Sequence, residues 1–91
     1  MAIGVYFGSQ SMTAQRYSEV VKQLEAAGAG SPKGRLYHAS IGDTNDLHVF
    51  DIWDSQAEFD AFGAVLMPIL AKNGVNPAQP VIMPVHNIIK P

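Results

Sequence analysis

One stretch in the middle of the chain constrains its fold more than any other, because both alternating sets of side chains in it are apolar. In the sequence LHVFDIW, Leu47, Val49 and Trp53 would share one face of a strand. Phe50 and Ile52 would lie on the other face. A strand with one solvated face alternates apolar and polar residues instead. The stretch therefore predicts a sheet whose two faces are both covered.

Strand and helix patterns alternate along the rest of the chain. Strands are indicated by short apolar runs bounded by turn residues, and helices by apolar residues three and four positions apart. The predicted elements are, in order, a strand within 2–8, a helix between the N-cap Thr13 and the stop at Gly28, strands at 35–41 and 47–53 around a turn at 42–46, a helix from Ser55 to 73–74, and an extended stretch at 80–90.

The second helix carries the clearest start signal. Ser55 and Glu58 have the S-x-x-E spacing of a capping box, in which each residue accepts a hydrogen bond from the backbone N–H of the other. Pro68 lacks an N–H, so we expect it to kink or end the regular part of this helix. For the same reason, Pro84 indicates that the last strand is an edge strand or contains a bulge.

The order strand, helix, strand, strand, helix, strand is the ferredoxin-like βαββαβ plan. Right-handed crossovers place both helices on one face of a four-stranded antiparallel sheet. Because two helices cover only one face, we expect the same face of a second copy to cover the other. The predicted fold class is therefore α+β, with a single domain over residues 1–91 that forms a homodimer of the dimeric α+β barrel type.

Composition excludes several classes of function. The six Lys and Arg residues are scattered and the formal net charge is −2, so we expect no nucleic-acid partner. No apolar stretch approaches the roughly 18 residues of a membrane span, so we expect no membrane contact and a cytoplasmic location. The chain has no cysteine, which removes thiol catalysis and Cys-based zinc sites.

Residues 50–62, with the sequence FDIWDSQAEFDAF, resemble the signature of the antibiotic-biosynthesis-monooxygenase-like family. That family carries an acidic residue, an apolar one, Trp, an acidic or polar residue and Ser before an amphipathic helix with aromatic anchors. The resemblance implies a dimeric α+β barrel and, among the family's activities, cofactor-free quinone-forming oxygenation or haem degradation. It also implies that Trp53 lines a substrate cavity. Haem-degrading relatives have a His on the helix after that Trp, and residues 59–71 contain none, so we expect no cofactor.

Three histidines and one carboxylate are the candidate polar groups of a site. The histidines lie on three predicted strands without the spacing of metal ligands, so we expect no metal. Asp51 lies inside an apolar strand and shares a face with Trp53, and burying it unpaired would cost roughly several kcal/mol. An ordinary structural role stays the alternative for each group. The expected catalytic residues are His38 and Asp51, and the expected ligand-binding residues are Trp53, Tyr6, His48 and His86.

The register of the central hairpin decides which histidines share a face with Asp51. If Ile41 faces Leu47, strand alternation places His38 on the face away from Asp51 and Trp53. A one-residue bulge in either strand would instead put His38 opposite Val49, on the same face as Asp51 and Trp53. We favour the bulge, with the pocket on the side away from the helices, because the helix stripes offer His38 no polar partner. A His38 side chain that points at Tyr17, Leu24 or Phe62 would reject this pocket and leave the binding hypothesis dependent on Trp53 alone.

Three functions stay open after this reasoning. The first is the binding of a small apolar or aromatic molecule inside the barrel. The second is a cofactor-independent monooxygenase, in which a His or Asp takes the proton of a phenol- or quinol-like substrate. The third is a non-catalytic structural or assembly module with a filled barrel. A cavity of roughly a few hundred Å³, lined by several of the candidate polar groups, would favour the first two.

Overall fold

The computed structural model describes all 91 residues. Its elements, in chain order, are β1 (Ile3–Phe7), α1 (Ala14–Ala26), β2 (Arg35–Asp43), β3 (Asp46–Trp53), α2 (Gln56–Lys72) and β4 (Val81–Pro84). The four strands form one antiparallel sheet in the order β2-β3-β1-β4. The predicted ferredoxin-like α+β fold is confirmed, while the dimeric barrel stays a prediction.

One face of the sheet and both helices share a hydrophobic core. Alternate residues of β1 and β3 point to the helices, since a strand turns successive side chains to opposite faces. Trp53 has no exposed surface and packs its ring against Phe59 and Phe62 of α2, with ring centroids 5.7 and 5.2 Å away. Neither helix is both long and apolar enough to cross a membrane. The core consists of Ile3, Val5, Phe7, Met12, Val20, Leu24, Leu47, Val49, Trp53, Phe59, Phe62, Leu70 and Val75.

The opposite face of the sheet, here called the open face, has no layer of the chain over it. Tyr37 and Ile41 of β2 are 53% and 50% exposed, and Met83 of β4 is 62% exposed. Phe50 and Ile52 of β3 lie between these edge strands and are half-buried. The single chain therefore leaves a mostly apolar sheet face in contact with solvent.

The second helix begins at the predicted cap but differs in one detail of it. The Ser55 side chain accepts from the backbone N–H of Glu58 at 3.2 Å, as expected. The Glu58 carboxylate does not reach the Ser55 backbone; it accepts from the Ser55 hydroxyl at 3.1 Å. It also lies against the backbone of Gly34, which has a φ of 89° and leaves no space for a Cβ beside the carboxylate. A side chain at residue 34 would therefore disturb the cap.

Pro68 does not end α2. The helix continues through it to Lys72, and the following Asn73 caps it, as the Asn-Gly signal predicts. Asn73 Nδ2 donates to the carbonyl of Ile69 at 2.8 Å, which satisfies one of the last carbonyls of the helix. The extra turn is supported by packing, since Leu70 is buried in the core. Burial of this residue offsets the hydrogen bond that the proline cannot make.

Candidate functional site

A chain of hydrogen-bonded polar side chains, here called the relay, runs from α1 into the core. Asp51 is only 4% exposed, and its Oδ1 lies 2.6 Å from His38 Nδ1. Its other oxygen accepts from the indole N–H of Trp53 at 3.3 Å. On the far side of the imidazole, His38 Nε2 lies 2.6 Å from the Tyr17 hydroxyl. The relay therefore joins a buried carboxylate, a histidine and a phenol.

The chemistry of these groups assigns the hydrogens of the relay. An ionised carboxylate only accepts, so His38 Nδ1 carries a hydrogen and donates it to Asp51. In the neutral imidazole Nε2 then accepts, and the Tyr17 hydroxyl donates to it. The imidazole thus has its basic nitrogen turned toward the Tyr17 side and its other nitrogen held by the carboxylate. This is the arrangement in which a carboxylate orients a histidine for general-base work.

The hairpin between β2 and β3 brings His38 beside Asp51. The connection is a two-residue turn at 44–45, with Asp43 paired to Asp46 across it. The Asp43 side chain accepts from the backbone N–H of Asn45 at 2.7 Å, a common way for Asp to begin a turn. Counting back from this turn places His38 directly opposite Asp51 on the same face.

This register differs from both arrangements considered from the sequence. His38 shares the Asp51 face, as expected, but it stands opposite Asp51 rather than Val49. The only irregularity in the pairing lies between Arg35 and Tyr37, which is not between His38 and the turn, so the predicted bulge is not what places His38 on this face. The turn has two residues rather than the predicted five, and this difference alone places His38 on the same face as Asp51.

The expected position of the pocket is also wrong. The face that carries His38 and Asp51 points at the helices, and His38 contacts Tyr17 of α1. A pocket on the side away from the helices is therefore rejected for these residues. The sequence reasoning counted Tyr17 only as part of an apolar helix stripe, so it overlooked the hydroxyl that supplies the missing partner.

A cavity of about 140 Å³ lies between the helices and the sheet, directly at the relay. Ten of its fifteen lining residues are hydrophobic, so its few polar groups stand out. Tyr17, His38 and Asp51 line it together with Gln10 and Arg35. The cavity belongs to one chain, and it is smaller than the few hundred Å³ expected between two copies.

Trp53 does not line this cavity. It lies behind the Asp51 carboxylate, fully buried among the α2 aromatics, and its contribution to the relay is the hydrogen bond from its indole. The expected cavity wall is instead a core residue that fixes one oxygen of Asp51. The lining aromatic rings are those of Phe7, Tyr17 and Phe62.

The other candidate residues are not brought to the cavity. The hydroxyl of Tyr6 lies 2.6 Å from His48 Nδ1 on the open face, on the other side of the sheet from the relay. His86 follows β4 and is exposed. Of the predicted site residues, the structure therefore joins His38, Asp51 and Trp53 and separates the remaining three from them.

Two lining residues, Arg35 and Gln10, were not among the sequence candidates. The guanidinium of Arg35 donates to the carbonyl of Gly30 at 3.2 Å and lies 5.9 Å from the ring centre of Phe62. It brings a positive charge to the cavity wall. Gln10 is 5% exposed although it lies in the loop after β1. Arg35 begins a strand and Gln10 lies in a loop, so neither belongs to a periodic apolar pattern that would indicate a buried position.

Asp46, at the start of β3, has a pKa below the ordinary value for an aspartate. The main cause is the Ser9 side chain, with smaller contributions from the backbone N–H of Gln10 and from His48, and partial desolvation opposes them. One oxygen of this carboxylate makes no hydrogen bond of good geometry, so these contacts are loose ones. His48 Nε2 lies 3.7 Å from the other oxygen. Asp46 thus links the open face to the loop that carries Gln10.

Comparison of the whole fold with solved structures gives consistent matches. The chain aligns over 99% of its length with 98% of a protein from Chloroflexus aurantiacus J-10-fl that carries the name antibiotic biosynthesis monooxygenase, with a TM-score of 0.68 and 14% identity. It aligns over 97% of its length with 95% of SnoaB, a cofactor-independent oxygenase from Streptomyces nogalater, with a TM-score of 0.65 and 13% identity. This chain has the fold of the antibiotic biosynthesis monooxygenases.

The antibiotic biosynthesis monooxygenase fold is established by structure and not by sequence. No protein-family model matches the chain, and no curated protein matches it in sequence. A protein of unknown function from Nitrosomonas europaea also has this fold, with a TM-score of 0.56 and 16% identity over 99% of this chain and 92% of that one. Sharing the fold therefore leaves the reaction open. No three His, Asp or Glu side chains come together as a group that could hold a metal ion.

Proposed function

We propose that the cavity binds a small aromatic molecule with a hydroxyl group, and that the relay receives the proton of that hydroxyl. The observation that carries this proposal is the placement of the Tyr17–His38–Asp51 relay in the wall of a mostly apolar cavity. A filled, purely structural core would have no reason to bury a carboxylate, because doing so costs free energy that apolar residues would not.

The size of the cavity favours a single aromatic ring. A dry protein cavity of about 150 Å³ binds benzene in a well-studied engineered case, and this cavity has about 140 Å³. Apolar lining suits the two faces of a ring, and a few convergent polar groups fix its orientation.

Tyr17 offers the first contact for the hydroxyl of such a ligand. Its oxygen donates to His38 Nε2 and retains lone pairs that can accept from a second hydroxyl. A ligand hydroxyl that donates to Tyr17 extends the relay by one member without displacing any of its hydrogen bonds. The proton then moves from ligand to Tyr17 as the Tyr17 proton moves to His38, and Asp51 stabilises the imidazolium.

Arg35 supports the anion that this proton transfer leaves behind. Its guanidinium is held at the cavity wall by Gly30 and by the ring of Phe62. A fixed positive charge in a mostly apolar cavity stabilises a phenolate more than it stabilises the neutral phenol. The charge therefore favours the deprotonated state of the bound ligand.

The same geometry favours a second and more specific function, which is the cofactor-independent oxygenation of the bound phenol. SnoaB, which shares this fold, is a cofactor-independent oxygenase, and an electron-rich phenolate can reduce O₂ directly. In the reaction, a ring C–H and the phenolic O–H are lost. One oxygen atom becomes the new carbonyl of a quinone, and the other leaves as water with the two hydrogens. Phenol and O₂ thus balance with quinone and water, and no external reductant is needed.

Binding can be tested by thermal stabilisation with phenol and benzene, which differ by one hydroxyl. A ligand at about ten times its Kd adds about 1.4 kcal/mol to the folded state, or roughly 6–11 °C in Tm for a domain of this size. We expect phenol to stabilise the native protein more than benzene does. In His38→Gln the advantage of phenol should disappear.

His48→Gln is the matched control, because the same substitution is made on the other face of the sheet. It should leave the phenol advantage intact. Equal stabilisation of the native protein by both compounds would contradict the proposed function of the relay, and failure of both to stabilise it would contradict the cavity as a binding site. Folding of each variant is checked by circular dichroism before titration.

Oxygenation is tested separately, with ¹⁸O₂ and a panel of single-ring phenols in the absence of any cofactor. The expected product is a quinone with one ¹⁸O atom, formed by the native protein and not by Asp51→Asn. Binding without O₂ consumption by any phenol would leave the protein as a binding protein and refute its oxygenase activity.

The open face is the reason to propose a homodimer as well. Large apolar side chains gather there, and a second copy presents the same face, so a two-fold dimer would bury it symmetrically. Tyr37→Lys should produce a monomer in light scattering, because it places a charge in that interface. Met67→Lys, at an exposed apolar residue of α2, should keep the native mass. A monomeric native protein at micromolar concentration would contradict the proposal.

A further inference from the structure

The irregularity in β2 turns a charged side chain toward the cavity. Arg35 pairs with Trp53, and the next paired residue of β2 is Tyr37, so Leu36 between them is an extra residue without a partner. In regular pairing Leu36 would stand opposite Trp53 on the face of the helices, and Arg35 would fall on the open face. The bulge instead leaves Leu36 48% exposed and gives its place to Arg35.

This exchange is unfavourable for a core that only packs. An apolar side chain in the position of Arg35 would gain from burial, whereas a guanidinium loses hydration there. The leucine that would have gained is the one turned to solvent. Bulges are frequent beside active sites, where they redirect one side chain. The bulge therefore indicates that the cavity uses the charge of Arg35.

The guanidinium lies at the cavity wall without an acidic partner. Its two neighbours are the carbonyl of Gly30 at 3.2 Å and the ring of Phe62 at 5.9 Å, and both residues line the cavity. The hydrogen bond to Gly30 uses one N–H of the five that an arginine side chain offers. Arg35 belongs to none of the chain's ion pairs, each of which joins a histidine to an aspartate. Donors and charge therefore remain for a ligand.

The strand register places this charge close to the relay. His38 pairs with Asp51, and Arg35 pairs two positions further along β3, so both side chains lie on the same face. Two positions correspond to roughly 7 Å at about 3.3 Å per residue. One aromatic ring with a polar group at each end can span this separation.

We propose that Arg35 binds a carboxylate of the ligand, so that the cavity selects an aromatic hydroxy acid, such as 4-hydroxybenzoate, over a neutral phenol. The planar guanidinium matches a carboxylate with two parallel N–H donors. Because Arg35 is only half-buried, the carboxylate keeps part of its hydration, which limits the cost of binding it. The inference rests on the proposed function, since it names the ligand class of the same cavity.

A carboxylate at Arg35 is compatible with proton transfer to the relay. The positive charge still acts on the phenolate oxygen across the ring, because the cavity is mostly apolar and screens it weakly. The ring also conjugates a phenolate with a carboxyl group in the para position, so part of the new negative charge reaches the atoms that Arg35 binds. The guanidinium therefore selects the acid and also favours deprotonation of its hydroxyl.

The experiment compares 4-hydroxybenzoate with 4-hydroxybenzamide, which has nearly the same shape and no charge, by NMR titration at neutral pH. In the native protein the acid should bind about ten-fold tighter, because its hydrogen bonds to the guanidinium are between opposite charges. In Arg35→Met that preference should be lost or reversed, since the carboxylate then has no partner. Arg35→Lys keeps the charge without the paired donors and should show an intermediate preference.

Lys33→Met is the matched control, because it removes the same charge from an exposed residue two positions away. It should keep the native ratio of the two affinities. A native ratio in Arg35→Met, or an equal loss of preference in Lys33→Met, overturns the inference. Phenol is the third ligand: if it binds the native protein while the acid has no advantage over the amide, the inference fails and the proposed function stands. If none of the three compounds binds, both fail.

Discussion

Replacing His38 by Leu should destabilise the protein far more than the equivalent change on the other face. The substitution leaves the Asp51 carboxylate buried with the single hydrogen bond from Trp53. Leaving a buried charge without its partner typically costs about 3–5 kcal/mol. The His38 side chain is 25% exposed, so water can reach part of the site, and we expect a cost below that range, about 2–3 kcal/mol.

Urea denaturation followed by circular dichroism measures this cost. With a slope of roughly 1 kcal/mol per molar for a small domain, the midpoint should fall by about 2–3 M. His48→Leu breaks the Tyr6–His48 hydrogen bond on the open face, which is solvent-exposed. That control should cost less than about 1 kcal/mol.

A second substitution identifies the cause. If the unpaired carboxylate is responsible, Asp51→Asn should make His38→Leu much less costly, because a neutral amide needs less compensation. The coupling between the two changes should be about 2 kcal/mol, within the range for residues in direct contact. A cost of His38→Leu equal to that of His48→Leu, or additive effects in the double variant, would refute the relay as a buried charged network.

Three further changes test the surroundings of the site. Ser9→Ala should raise the pKa of Asp46 toward the ordinary value, because it removes the main contact that lowers it, and NMR titration measures the change. A carboxyl whose pKa is lowered by folding stabilises the folded state at pH values above its unfolded pKa. The variant should therefore lose stability at neutral pH, and the difference from the native protein should vanish below the folded-state pKa. Glu58→Ala should lower the free energy of unfolding by about 1 kcal/mol, and an unchanged denaturation midpoint would argue against the observed cap. Gly34→Ala should cost more than Glu58→Ala in the same assay, because its φ of 89° strains any L side chain and the new Cβ also pushes the Glu58 carboxylate away from Ser55; a smaller cost would argue against the positive φ at residue 34.

The order of elements was predictable because each has a local cause. The capping box at Ser55 starts α2, and the Asn-Gly pair after Lys72 ends it. An end at Pro68 was one of two predicted outcomes and is wrong, because the rule considers the missing N–H and not the burial of Leu70 that follows it. The strand order also followed, since right-handed crossovers leave few ways to arrange four strands and two helices.

The site was harder to predict, because it depends on contacts between distant parts of the chain. Parity along β3 correctly placed Asp51 with Trp53, but the side of the sheet facing the helices was assigned wrongly. Tyr17 fits an apolar stripe by spacing, and only its distance to His38 reveals the use of its hydroxyl. The burial of Gln10 depends on hydrogen bonds from its loop to Asn76, after α2, and to the start of β3, which no local pattern encodes.

The alternation of β3 gives this small sheet two chemically separate surfaces. Asp51 serves the cavity, while His48, three residues earlier, serves the open face with Tyr6. The sheet backbone stands between them, and changes without shared partners combine additively. The two surfaces can therefore change separately: a substitution on the open face need not alter the cavity wall, and a substitution in the cavity wall need not alter the open face.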